Sequence, residues 1–368
     1  MNSVLKLSCV VGARPNFIKI AALIAEFRRR SFEVRLIHTG QHFSPEMSQA
    51  FFDDLELPAP DLNLEVGAGT GTFQTAEVMK RLEPVFLENR PDLLVVVGDV
   101  NSTLAASLVA AKLGIPIAHV ESGLRSFDRT MPEEINRVLT DAISDYLFVT
   151  EPDGVTNLLA EGVPRQKIHF VGNVMIDTLL RFREKAAHSR ILEQLELHAK
   201  QYAVATLHRP SNVDPPERLN DLVEVLVQLA KRLPVVFPVH PRTRGRMEAA
   251  GLSAPHLLLT APLGYLDFLR LMSEARLVLT DSGGIQEETT ILGVPCLTVR
   301  ENTERPVTVE KGTNRLVGAD PQRILEAAIE ALSANGVHAT VPELWDGMAG
   351  ARIADVLEQA VPAGMVAR

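Results

Sequence analysis

A chain of 368 residues, 46% of them apolar, can build two hydrophobic cores, yet it contains no apolar run of the roughly 18 residues a membrane span requires. Its net charge of -9, from 37 basic and 46 acidic residues, argues against a nucleic-acid surface and leaves room for a small anionic ligand held by a few convergent cations. Cys9 and Cys296, the only cysteines, lie in apolar runs with no metal-ligand spacing, and the N-terminus lacks a signal peptide's basic end and cleavage site, so a cytoplasmic setting without a disulfide is expected.

Short runs rich in β-branched residues alternate with longer amphipathic segments, the pattern of parallel sheets covered by helices. The first half predicts strands at 5–11, 34–38, 93–97, 116–120, 146–149 and 168–171, with helices such as 16–30, 73–88 and 103–113 between them. Gly172–Asn173 leads into a polar helical stretch ending near Lys200, and the alternation restarts with strands at 202–206, 235–239, 256–259, 277–279 and 295–299. The expected fold is α/β, with two doubly wound Rossmann-like domains (1–172 and 173–368) facing across a ligand-binding cleft. A last helix, about 350–362, is expected to pack back on the first domain.

The first strand leads into Gly12–Ala13–Arg14–Pro15–Asn16 and on to Lys19. Gly12 permits a tight turn, Pro15 suits a first helical turn, and Arg14 and Lys19 add charge, which makes a diphosphate site. The plainer reading is an ordinary turn with surface cations. Neither a G-x-G-x-x-G fingerprint nor a Walker lysine motif is present, so nicotinamide and ATP lose support. His38 and His42 are four apart, but Gly40 between them opposes a metal-binding helix, and Gly67, Gly69 and Gly71 read as a loop.

Asp99 follows the apolar run 93–98, Glu121 follows 115–120, and Glu133 opens a helix after the loop 122–132. Ligands bind at the carboxyl ends of strands in open α/β sheets, and acids aimed at one cleft raise one another's pKa and suit proton transfer. A helix dipole alone would explain Glu133, but it explains Asp99 and Glu121 less well. Arg125 and Arg137 flank this segment, either as substrate cations or as ion-pair partners of Glu133 or Glu134. Arg305 has the same two readings.

His208 stands at the end of the strand 202–206 and His240 at the end of the next. A histidine there can act as an acid or assist a departing phosphate, although a lone histidine is more often structural. In the segment 279–288 a strand ends, small residues expose N–H groups and a helix begins, an arrangement that binds phosphate at Ser282, Gly283 and Gly284. Glu288, one turn on, is placed to accept from ribose hydroxyls. The alternative for Ser282 is a simple helix cap.

These segments, in order and spacing, resemble the non-hydrolysing UDP-N-acetylglucosamine 2-epimerases. The match runs through Gly98–Asp99, His119–Arg125, Pro132–Arg137, Gly172–Asn173, His208–Arg209, Pro238–His240, Asp281–Glu288 and Glu304–Pro306, with Asp346–Gly347 and Arg352–Ile353 as a degraded closing motif. The resemblance implies a GT-B architecture, a homodimer, and reversible conversion of UDP-GlcNAc to UDP-ManNAc without metal or nicotinamide. It implies elimination of UDP to 2-acetamidoglucal and re-addition, with Asp99, Glu121 and Glu133 as the acid/base set and His208 assisting the phosphate. Arg14, Lys19, Ser282 and Gly283 would then contact phosphate and Glu288 the ribose. The segment 263–268, with Tyr265 and Phe268, would form the uracil pocket. Gln41, Arg209 and His240 match part of a site that in some members holds an activating second UDP-GlcNAc, but polar positions near Ser44 and Thr70 are lost, so that activation is not expected. The segment His240–Arg244 also resembles epimerases of UDP-2,3-diacetamido-glucuronic acid. The remaining rivals are a hydrolysing epimerase, a GT-B glycosyltransferase and a non-catalytic binding protein.

Overall fold

A computed structural model describes residues 4–41, 51–334 and 339–360; His42 and Ser44 lie outside these. The chain divides into two compact units, one of residues 1–181 with 343–368 and one of residues 182–342.

The first unit is built on seven strands: β1 (Lys6–Val11), β2 (Glu33–His38), β3 (Leu62–Asn63), β4 (Leu93–Val97), β5 (Ile117–Ser122), β6 (Tyr146–Val149) and β7 (Ile168–Phe170). They pair in parallel in the order β3-β2-β1-β4-β5-β6-β7. Every side chain of β4 is buried, as expected of an all-apolar strand covered on both faces. The order reverses between β1 and β4, and in open α/β sheets ligands bind at the carboxyl ends of the strands at such a switch point.

Several features depart from the sequence reading, among them a strand at Asn314–Leu316, which the sequence does not predict. β3 is two residues long and was not foreseen. β5 does not stop at Val120 but runs on to Ser122 through a register shift against β6, a bulge at Glu121. Gly71, read as loop, opens the helix Gly71–Glu88, whose N-cap Thr70 accepts from the Phe73 N–H at 3.2 Å.

The end of the chain belongs to this same unit. Trp345 is buried and its indole N–H donates to the Thr150 carbonyl at 2.9 Å. The carboxylate of Asp177 accepts the N–H groups of Ala349 (3.1 Å) and Gly350 (2.7 Å), capping the helix Ala349–Ala360. Arg30 pairs with Asp355 and Glu358 of that helix at 2.6 and 2.8 Å. Gly172 has φ +89°, and a Cβ there would collide with the carbonyl of Leu344, so only glycine lets the returning segment lie this close.

The second unit holds six parallel strands: β8 (Ala203–Thr206), β9 (Val235–Pro238), β10 (Leu257–Thr260), β11 (Leu277–Thr280), β12 (Cys296–Thr298) and β13 (Asn314–Leu316). Their order is β10-β9-β8-β11-β12-β13, with the switch point between β8 and β11. The helices Pro216–Ala230 and Pro321–Ser333 cover one core with Leu219, Leu222, Leu226, Ile324 and Ala328, packed on Val235, Phe237 and Leu277. Each large apolar side chain buried there contributes about 1.5–3 kcal/mol before chain entropy is counted. Among the described residues no helix is long and apolar enough to cross a membrane.

Candidate active site

At the first switch point, the turn after β1 is organised by Asn16. Its Oδ1 accepts the N–H groups of Gly12 (3.1 Å) and Ala13 (3.2 Å), and its Nδ2 donates to the Val97 carbonyl at the end of β4 (2.9 Å). The turn therefore offers the charge of Arg14 rather than these two N–H groups. Arg14 is half-buried and lies over the Phe51 ring at 5.4 Å. Lys19 is no surface cation: it is buried, and its Nζ lies 2.6 Å from Oε2 of the equally buried Glu121.

Glu121 has φ +70° at its bulge. A left-handed conformation costs a non-glycine residue on the order of 1–3 kcal/mol, and such strain, like bulges, clusters at functional sites. Asp99 follows Gly98, itself at φ +67°, where a Cβ would come 2.8 Å from Lys19 Nζ; glycine lets the lysine through to Glu121. Arg137, on the helix Pro132–Ile143, reaches Asp99 Oδ2 and Glu134 Oε2, each at 2.5 Å. Glu134 also accepts the N–H groups of Ser126 and Phe127 at 3.0 Å, and Asn136 donates to the Asp99 carbonyl at 2.9 Å. Glu133, half-buried, precedes Glu134 on the same first turn.

Of the two readings for Arg137, its contacts are ion pairs with Asp99 and Glu134. Arg125 pairs with neither Glu133 nor Glu134; its partners are Asp141 and Glu161, both at 2.7 Å. Gln41 is buried nearby, its side-chain oxygen accepting from the Ser102 N–H (3.1 Å) and hydroxyl (2.7 Å).

At the second switch point the organiser is Asp281, fully buried after β11. It accepts the N–H groups of His208 (3.0 Å) and Arg209 (2.9 Å), the Asn212 amide (3.2 Å) and His208 Nδ1 (2.9 Å). Burial raises its carboxyl, but the charge of His208 and these hydrogen bonds outweigh it and hold the group below the usual aspartate value. Asp281 thus engages Nδ1 of His208 and leaves Nε2 as the ring nitrogen of this partly exposed side chain that the carboxylate does not hold. The His240 ring centroid lies 6.0 Å away, and its Nδ1 accepts the Arg242 N–H at 3.2 Å.

Ser282 is the N-cap of the helix Gly283–Leu292, yet its side chain makes no capping bond, so the simple-cap reading is not what the structure shows. A Cβ on Gly283 would run into the guanidinium of Arg305. Gly284 follows, half-buried, in the same first turn. Arg305 is buried beneath this turn, paired with Glu287 at 2.8 Å and with Glu304. Glu304 also meets Arg300 at 2.8 Å and Arg209 at 3.7 Å. Its burial alone would raise its carboxyl, but Arg305, Arg300 and Arg209 hold it well below the usual range. Arg305, Arg300 and Arg209 thus gather beneath a helix N-terminus, a combination suited to an anion. Glu288 is buried with the Tyr265 hydroxyl 3.3 Å from Oε1, and burial, then Glu287, pushes its carboxyl up to about 8. Tyr265 opens the helix Tyr265–Ser273, on which Phe268 is half-buried.

The organising roles of Asn16 and Asp281 are not evident from the sequence alone. For Asp281 a signal existed: an acid directly after an apolar strand and before Ser-Gly-Gly, the pattern that marked Asp99.

Two doubly wound parallel sheets with charged constellations at both switch points define an α/β enzyme of the nucleotide-binding kind. A family model described as UDP-N-acetylglucosamine 2-epimerase matches residues 25–358. The UDP-N-acetylglucosamine 2-epimerase of Methanocaldococcus jannaschii is 45% identical over 333 residues, covering 88% of this chain and 91% of that protein. The UDP-2,3-diacetamido-2,3-dideoxy-D-glucuronate 2-epimerase of Pseudomonas aeruginosa is 42% identical over 357 residues, 96% of this chain and 99% of that one. The crystal structure of the M. jannaschii enzyme in complex with UDP-GlcNAc and UDP superposes with a TM-score of 0.91 at 42% identity, covering 96% of this chain and all of that one. The chain belongs to the UDP-N-acetylglucosamine 2-epimerase family.

Proposed function

We propose that the protein interconverts UDP-GlcNAc and UDP-ManNAc by eliminating UDP and adding it back. Carbon 2 of the sugar has no adjacent carbonyl, so its proton is too weakly acidic for simple exchange. A carboxylate takes that proton as the bond from carbon 1 to the diphosphate oxygen breaks. The electron pair leaves with UDP, and 2-acetamidoglucal remains. In the return step the diphosphate oxygen attacks carbon 1 while a proton is delivered to the opposite face of carbon 2.

This chemistry needs an acid/base set beside the ring and cations at the leaving group. The observation that supports the reading is that the acids following β4 and ending β5 are each held by a cation, Asp99 by Arg137 and Glu121 by Lys19, with Glu133 on the first turn of the helix that bears Arg137. In the second unit, His208 on Asp281 assists the departing phosphate. Ser282, Gly283 and Gly284 offer the helix N-terminus, and Arg305 underlies it. Arg14 and Lys19 add charge for the diphosphate, Glu288 takes the ribose, and Tyr265 with Phe268 lines the uracil pocket. His240 stands beside the phosphate-assisting ring.

The diacetamido-uronate reading needs a cation for the sugar carboxylate, and the segment His240–Arg244 is its support. There Arg242 is tied to Asp214 at 3.0 Å, and Arg244 donates to the Thr260 carbonyl at 3.2 Å. These engagements favour UDP-GlcNAc. Two buried free cysteines support work in the reducing cytoplasm, and we place the enzyme there as a homodimer, which light scattering would test.

NMR of the protein with UDP-GlcNAc in deuterated water, without added metal or nicotinamide, decides the matter. UDP-ManNAc carrying deuterium at carbon 2 is the expected product. Free ManNAc plus UDP would replace this reading with the hydrolysing one. Turnover of the 2,3-diacetamido-uronate alone would overturn the substrate.

A further inference from the structure

Beneath the two strand ends that carry Asp99 and Glu121 lies a pair that touches neither acid. His119 and Asp141 are both shut off from solvent. Asp141 sits on the helix Pro132–Ile143, which also bears Glu133 and Arg137. One of its oxygens meets His119 Nδ1 at 2.6 Å. The other accepts the Gly123 N–H at 3.0 Å and Arg125 at 2.7 Å. His119 Nε2 lies 2.8 Å from the Gly98 carbonyl.

A carbonyl can only accept, so Nε2 donates to Gly98, and the ionised Asp141 accepts from Nδ1. Every donor in the cluster is matched to an acceptor. Its anchor points are the residue before Asp99 and the residue two beyond Glu121. These anchors lie where the backbone is least able to hold itself: Gly98, Glu121 and Gly123 have φ of +67°, +70° and +80°. Stability alone is a weak reason for such a pair, because packed apolar groups often replace buried ion pairs at no cost.

We propose that His119 and Asp141 are positioning residues for epimerisation, clamping the β4 and β5 ends so that Asp99 and Glu121 keep a fixed separation without either clamp residue touching substrate. The inference rests on reading Asp99 and Glu121 as catalytic. Displacing a reacting group by about 1 Å can cost on the order of 100-fold in rate. A loosened clamp should therefore act on the chemical step and leave nucleotide affinity alone.

Asp141→Ala removes the anchor to Gly123 and leaves Nδ1 of His119 without its partner, and His119→Phe removes the anchor to Gly98. In Asp141→Asn a neutral His119 keeps its one proton on Nε2 for Gly98, so its bare Nδ1 can accept from the amide while the amide oxygen stays on the Gly123 N–H, and the bonds survive without the charge. The expected result is a kcat lower by about 30-fold or more in Asp141→Ala and His119→Phe, and by less than about fivefold in Asp141→Asn, with UDP affinity and binding stoichiometry unchanged. Mis-set acids should also re-protonate the intermediate slowly, so the ratio of released 2-acetamidoglucal to epimer rises. Simple loss of folded protein lowers the binding stoichiometry and leaves that ratio alone.

A kcat within about threefold of the parent in both disruptive variants, or a lower kcat with an unchanged ratio, overturns the proposal. If Asp141→Ala does not fold, His119→Phe against Asp141→Asn decides by the same two readouts. Asp99→Asn and Glu121→Gln, assayed alongside, separate the failures. If they keep turnover, the catalytic reading is wrong and this inference falls with it. If they lose turnover while the His119 and Asp141 variants keep it, only the clamp is wrong.

Discussion

Glu288 shows most plainly what a single environment does to a single group. Burial and the neighbouring Glu287 lift its carboxyl from the ordinary 4.5 to about 8. The unliganded folded chain therefore holds a proton that the unfolded chain has released. The contribution of Glu288 to stability is fully present below about pH 4.5 and is lost as pH rises through about 8. Glu288→Gln should flatten that slope, with a gain over the parent at pH 8.5 of up to a few kcal/mol in denaturant melts. An unchanged slope would mean the carboxyl is already ionised. For the acid set, Asp99→Asn, Glu121→Gln and Glu133→Gln should each lower turnover by about 100-fold or more while UDP affinity moves less than about threefold, read by coupled assay and calorimetry. Near-parental turnover in all three would remove the mechanism.

Elements explain which parts of this were legible. β4 could be read because five consecutive apolar residues admit little but a strand buried on both faces, and Asp99 stood out against them. β3 and β13 could not, being two and three residues long and partly polar. The bulge at Glu121 left no mark either, because the left-handed residue is a glutamate where a glycine would have signalled the turn. The acids were visible in one dimension, but their partners were not. Lys19 with Glu121, and His119 with Asp141, meet only once strands and helices far apart in the chain are packed. The helix Ala349–Ala360 depends on the same kind of distant partner, since its first N–H groups are capped by Asp177. Asp177→Ala should lower stability by about 1–2 kcal/mol, seen as a lower Tm, with UDP affinity unchanged. A Tm equal to the parent's would show that the cap is dispensable.

For the whole molecule, each unit carries its own charged constellation at its own switch point: acids with Lys19 and Arg137 in one, a histidine on Asp281 and a helix N-terminus in the other. The proposed function would give the first the sugar and the second the nucleotide. The division in space is not a division along the chain. The first unit takes in residues 343–368, whereas residues 182–342 form the second without interruption. On the ribosome this reverses the usual order, in which the N-terminal domain finishes first. The second unit can close as soon as it emerges, while the first waits for Trp345 and the helix that Asp177 caps. At about 5–20 residues per second the delay is on the order of ten to forty seconds. Throughout it, whatever surface Trp345, Ile353 and Leu357 cover in the finished unit, where all three are buried, stays open to water and to chaperones.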